Sequence, residues 1–227
     1  MITIIGTSHI AKESILAIKK FIEEEKPEIV ALELDAQRAA SLLSGEKRRV
    51  SLDAIPKIGI KGYLFALVAQ FIQNKLGKMV GISPGSDMKT GLLLAKKNNL
   101  KIALIDQPIE ITLRNFSKSL TWKEKIRFFT DIIKGLLFPR KQVKKYGLNQ
   151  LDLKKVPAQQ LIKVMMGELK KNYPNIYKSL VADRNRYMVK NLIKLQQANQ
   201  NQKILAIVGA GHEEGMKELL RKIDIVK

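Results

Sequence analysis

The chain has no cysteine. Disulfides, thiolate metal sites and cysteine nucleophiles are therefore excluded, and the redox compartment stays open. Aromatic residues make up only 6% of the 227 residues, and no nucleic-acid-binding motif is visible. Acidic residues are outnumbered, 21 against 41 Lys and Arg, which gives a formal charge of +20. Such a charge favours polyanions in general. The lysines, however, are spread along every helical segment and alternate with Glu and apolar residues, the pattern of a lysine-rich solvated surface. Nucleic acid is accordingly not the expected partner.

Long hydrophobic runs are also missing. No stretch approaches the roughly 18 to 20 apolar residues that span a bilayer. The longest candidate, Tyr63–Ile72 (YLFALVAQFI), reads as a buried helix. The N-terminal MITIIGTSH has no basic leader before its apolar residues and reads as a first strand. The sequence as it stands is expected to be cytoplasmic or membrane-peripheral.

What is present is a globular composition, 45% hydrophobic, long enough for one domain of residues 1–227 with an insertion. Residues 2–5 (ITII) read as a buried strand. Ala11–Glu25 follows as a helix, with Ala11, Ile15, Ile18 and Ile22 on one face. Glu28–Leu34 (EIVALEL) is a second strand, so the opening is a βαβ unit with parallel strands. Ala36–Leu43 is a short helix and residues 60–80 an apolar one. The turn SPGSD, residues 83–87, is placed to cap a helix over Met88–Lys97. Lys101–Ile105 is a third strand.

From Pro108 to about Gln200 the strand signal vanishes and helical patterns dominate. Lys203–Val208 is a strand again, followed by a helix over Glu213–Lys222. The closing IDIVK reads as the start of a further strand. The expected fold class is α/β: a mainly parallel sheet with flanking helices and a mostly helical insertion at about 108–200, before the last main strand.

Only two histidines occur, and each stands three residues after a glycine at the end of an apolar run: IIGTSH, residues 4–9, and AIVGAGH, residues 206–212. With 14 glycines in 227 residues, such a coincidence is an event of well under ~1% by composition. Ligands of open parallel sheets bind outside the carboxyl ends of the strands. Glycine would allow a sharp exit there, so two strands far apart in sequence could aim His9 and His212 into one crevice.

The second strand ends ALELD, which places Glu33 on the face opposite Val30, Leu32 and Leu34. A carboxylate there needs a cation, a hydrogen-bonding partner or a metal. Two imidazoles and a carboxylate are a three-ligand set for a catalytic divalent ion. A structural ion pair with Arg38 or another arginine accounts for Glu33 equally well. Arg184 falls in the middle of the helical stripe Ile176, Leu180, Met188, Leu192 and Leu195. It is expected to point inward, to Glu33 or to a substrate carboxylate, with snorkelling as the alternative. Asp106, at the end of strand three, could line the crevice rim, but its expected role is to cap the helix that Pro108 begins. The SPGSDM turn offers backbone N–H groups to an anion, or else simply caps a helix packed closely through Met88, Gly91 and Ala95.

GTSH, ELD followed by Arg38 (ELDAQR), the DM helix, the strand ending IDQP, the ADRNRYM helix and the terminal VGAGH together resemble the TraB family, from Ile4 to about Gly215. That family includes the pheromone-shutdown proteins and is similar to the Tiki metalloproteases and, more distantly, to the erythromycin-esterase and ChaN-like group. The resemblance implies an α/β fold of that group. It also implies a metal or catalytic set of His9, His212 and Glu33, with Arg38 and Arg184 as supporting or substrate-gripping groups. A divalent ion such as Mn, Co or Zn is implied as cofactor, and a peptide as substrate. The expected function is a metal-dependent hydrolase acting on peptides; the alternative is a non-catalytic, peptide-sequestering protein of the pheromone-shutdown kind. Longer family members carry C-terminal hydrophobic segments, so membrane association through a segment not in this chain is a further expectation. The stretch Lys123–Lys141 could lie on an anionic membrane surface or pack inside the insertion.

Overall fold

The computed structural model describes residues 1–7, 12–45, 85–121 and 158–225, with isolated positions between 55 and 67 and between 123 and 131. Four strands form one all-parallel sheet: β1 (Ile2–Thr7), β2 (Ile29–Leu32), β3 (Lys101–Leu104) and β4 (Ile204–Gly209). Their spatial order is β1-β4-β2-β3. The last strand in sequence therefore lies between the first two, and Thr7 at the end of β1 pairs with Gly209 at the end of β4.

The central strands carry apolar residues on both faces because both faces are covered by helices. In β4, Ile204, Ala206 and Val208 face a cluster with Met188, Val189, Leu192 and Met216, from the helices α7 (Asp183–Ala198) and α8 (Ala210–Ile225). The alternate residues Leu205 and Ile207 face Ile18, Ile22, Met88, Leu92 and Ala95. These come from α1 (Lys12–Glu25) and α3 (Ser86–Lys97). Period-two alternation on the strands and helical spacing on the covering elements thus build an α/β/α sandwich. The helix α3 packs closely: a Cβ on Gly91 would lie 2.9 Å from Ile207 Cδ1. The close-packing reading of Met88, Gly91 and Ala95 accounts for that segment, since Met88 and Ala95 are both buried.

Between these lie α2 (Ala36–Ser44), α4 (Ile109–Ser119), α5 (Ala158–Asn172) and the short α6 (Pro174–Tyr177). A π-helical turn, Lys178–Ala182, joins α6 to α7. Phe116, Tyr173 and Ile176 form a small core of their own beside the main sandwich.

Three sequence expectations need correction. Residues 223–225 of the IDIVK segment start no strand: α8 continues through Ile225, carried by Met216, Leu219, Leu220 and Ile223 packing on the sheet. The helix expected from Met88 begins at Ser86, and Gly85 in the left-handed conformation is its N-cap, with no side-chain cap. Asp106 does not cap α4; Pro108 is the N-cap, again without a side-chain bond. Most of the expected helix at 60–80 and of Lys123–Lys141 lies outside the described residues. Among the described residues, no helix is long and apolar enough to cross a membrane.

Candidate functional site

Because all four strands are parallel, their carboxyl ends share one edge, and the site assembles there. Glu33 directly follows β2, Asp106 stands two residues beyond β3, and His212 lies in the first turn of α8, three residues beyond Gly209 of β4. Residues 8–11, His9 included, lie outside the described residues. The structure thus places the strand that leads to His9 beside the strand that leads to His212.

The backbone N–H of Gly209 donates to Glu33 Oε2 at 2.6 Å. Glu33 Oε1 faces His212 Nε2 at 3.4 Å. Carboxylate and imidazole thus meet across two neighbouring strand ends, as the sequence led us to expect for that pair.

Arg184 joins them. Its Nη2 donates to Glu33 Oε1 and to Asp106 Oδ2. Nε donates to Asp106 Oδ1 at 3.2 Å, and Nη1 to the Leu180 carbonyl at 3.3 Å and to His212 Nε2 at 3.0 Å. A guanidinium has five N–H groups, and here all five meet protein acceptors. The inward reading of Arg184 holds, and the outward, snorkelling one does not. The Leu180 carbonyl belongs to the π turn, a distortion often found beside functional sites.

Asp106, whose side chain has no exposed surface, also receives Nη2 of Arg38 at 2.5 Å. Arg38 in turn donates Nε to Asp35 Oδ2 at 2.8 Å, while Asp35 caps α2 through the Arg38 backbone N–H. So Arg38 pairs with Asp35 and Asp106, and Glu33 pairs with Arg184. Arg38 is the more accessible of the two arginines, 28% exposed against 15% for Arg184.

The electrostatics follow from these contacts. Burial alone would push the Asp106 carboxyl up, but the hydrogen bond and charge of Arg184, joined by Arg38, hold it below its usual range. Burial pushes the His212 imidazole below its ordinary value, and the Arg184 charge adds to this while Glu33 opposes it. His212 is therefore held neutral. Arg184 is raised by Glu33 and Asp106 against the cost of its burial, and stays charged.

Neither glycine of the two Gly-x-x-His segments serves turn conformation, and Gly6 serves space. Neither Gly6 nor Gly209 is among the glycines with positive φ, which are Gly45 and Gly85. A Cβ on Gly6 would lie 2.1 Å from Glu213 Oε2 and 2.9 Å from Glu213 Cβ, so a bare backbone is needed for α8 to approach β1. Beside it, the Thr7 hydroxyl donates to Asp87 Oδ2, tying the end of β1 to the first turn of α3.

One contributor escaped the sequence reading, and another was given the wrong one of its two candidate roles. Asp106 is a member of the site and not a cap. Asn185, 3% exposed, meets His212 Nδ1 through its Oδ1 at 2.6 Å. The signal for Asn185 was available: it stands among Val181, Met188, Val189 and Leu192, all buried, the same argument that singled out Arg184.

Among the described residues, no three His, Asp or Glu side chains gather as a metal set. The donors that are present fit a cation: Glu33 Oε1 and His212 Nε2 converge, and both already bond a guanidinium.

The fold is thus an α/β sandwich with Glu33, Asp106, His212, Arg38 and Arg184 gathered at the strand ends. The TraB/PrgY/gumN family profile matches residues 1–225, and the chain belongs to that family. It is 36% identical over 225 residues to an uncharacterized protein of Methanocaldococcus jannaschii, covering 98% of this chain and 54% of the relative. It is 23% identical over 239 residues to TraB domain-containing proteins of mouse and human, covering 95% of this chain and 61% of each of those. The chain thus spans little more than half the length of these relatives.

Proposed function

We propose that this chain is a metal-dependent hydrolase acting on peptide bonds, with Glu33, His212 and His9 as the residues that hold a divalent ion. The observation that carries the reading is the convergence of Glu33 Oε1 and His212 Nε2, 3.4 Å apart at the ends of adjacent strands. When bound, a divalent ion supplies Lewis-acid polarisation of a carbonyl.

The chain's own residues have separable tasks. Neutral His212 offers a nitrogen lone pair, since its other ring nitrogen faces an amide oxygen. Glu33 is fixed by the Gly209 N–H through one oxygen, leaving the other to bind a cation or to take a proton as general base. Arg184 yields Glu33 and His212 without losing its anchor, because Asp106 holds it through two further bonds. Released in that way, it can orient a peptide carboxylate or stabilise developing negative charge. Arg38 sits at the more exposed side, where a substrate carboxylate first meets positive charge.

A second reading is a peptide-sequestering protein without turnover. It is favoured by one observation: the Arg184 guanidinium already bridges Glu33 and His212.

The test is cleavage of a peptide library by the full chain after addition of Mn, Co or Zn, with products identified by mass. Metal-dependent products that vanish in His9→Ala and His212→Ala support the hydrolase. Equal cleavage in those variants refutes the site, and saturable peptide binding without products favours sequestration.

A further inference from the structure

We propose that Asn185 is a positioning residue that fixes His212 as the Nδ1–H tautomer, and that Gly215 leaves the space in which its side-chain amide sits. The inference takes His212 as a site residue, as above, but its test needs no turnover.

Arg184 carries N–H groups only and cannot accept a hydrogen bond. Its Nη1 lies 3.0 Å from His212 Nε2, so Nε2 is the acceptor and bears the lone pair. The proton of the neutral ring then sits on Nδ1, which lies 2.6 Å from Asn185 Oδ1. The opposite orientation of the amide would set its N–H against the ring N–H. Only one assignment satisfies all three groups.

Arg184 and Asn185 are adjacent on α7, and together they grip both nitrogens of one imidazole. Their roles differ. Arg184 covers the nitrogen that faces Glu33 and must leave it whenever that nitrogen binds anything else. Asn185 sits behind the ring, 3% exposed, and keeps the proton on Nδ1 while Nε2 is in use.

Gly215 sets the position of the amide. A Cβ built there would fall 2.5 Å from Asn185 Nδ2, closer than side chains tolerate. One turn of α8 thus carries both His212 and the gap that seats its partner.

With only two histidines, the experiment is direct: long-range proton–nitrogen spectra of the full chain labelled with [15N]histidine, at alkaline pH, with His9→Gln to assign the rings. The expected wild-type result is a protonated Nδ1 and a bare Nε2 on His212. Asn185→Leu and Gly215→Ala lose this single pattern and shift toward the Nε2–H form that free imidazole prefers. Asn185→Asp, which keeps an acceptor oxygen, retains it. A wild-type ring protonated on Nε2 overturns the proposal. So does an unchanged Nδ1–H pattern in Asn185→Leu, or, should that variant unfold, in Gly215→Ala. A single Nδ1–H tautomer in a protein that cleaves no peptide would sink the hydrolase and leave this inference standing.

Discussion

Glu33 and Arg184 are 151 residues apart in sequence and form a part-buried ion pair at the strand ends, with Asp106 and His212 bonded to the same guanidinium. A part-buried charge that also bonds the Leu180 carbonyl is costly to remove, because each of its four partners loses a bond while held out of water.

Arg184→Leu is therefore expected to destabilise the fold by about 3–5 kcal/mol. Arg184→Leu combined with Asp106→Leu should cost less than the sum of the two single changes, since the second removes a buried carboxylate that the first leaves with only one of its two arginines. Urea unfolding of the four proteins checks this; additive effects would show that the two groups are not coupled.

Stability should fall on acidification in two stages. His212 is lowered from its ordinary 6.5, so the folded protein resists the proton that the unfolded chain accepts. The stability tied to His212 is full above pH 6.5 and declines below it. Asp106 is lowered from 3.8, so its contribution is full above that value and is lost as pH falls through its folded-state value. Thermal melting against pH should show both stages, and His212→Gln should remove the upper one. An unchanged upper stage in that variant would assign it elsewhere.

The two glycines of the Gly-x-x-His segments should respond differently. Gly6→Ala drives a methyl into Glu213 and is expected to cost about 1–3 kcal/mol. On Gly209 a Cβ would meet Glu33 Oε2 at 3.4 Å, an ordinary contact, so Gly209→Ala should stay within about 1 kcal/mol of wild type. Denaturation midpoints of the two variants decide it, and equal losses would contradict the packing described.

Much of this was legible in the sequence. The strands announce themselves because the central ones are buried on both faces, as ILAIVG of β4 shows. Glu33, Arg184 and His212 stand out as polar groups inside apolar patterns, and the structure brings these three together. Asp106 was misread because an Asp two residues before a proline also suits a helix start, and only its distant partners Arg38 and Arg184 reveal its role. The position of β4 between β1 and β2 is a tertiary fact with no local signal. Nor does a local signal betray the π turn at Lys178–Ala182, whose pattern reads as ordinary helix. Residues 223–225 were misassigned because their sequence, IDI, alternates like a strand while Ile223 also extends the apolar face of α8.

The proposed hydrolase requires Glu33 and His212 to hold a divalent ion jointly. Titration of cobalt(II) into the purified full chain, followed by visible absorption, tests it most directly. A saturable ligand-field spectrum is expected in the wild type and is lost in both Glu33→Ala and His212→Ala. An identical spectrum in either variant, or none in the wild type, would contradict it.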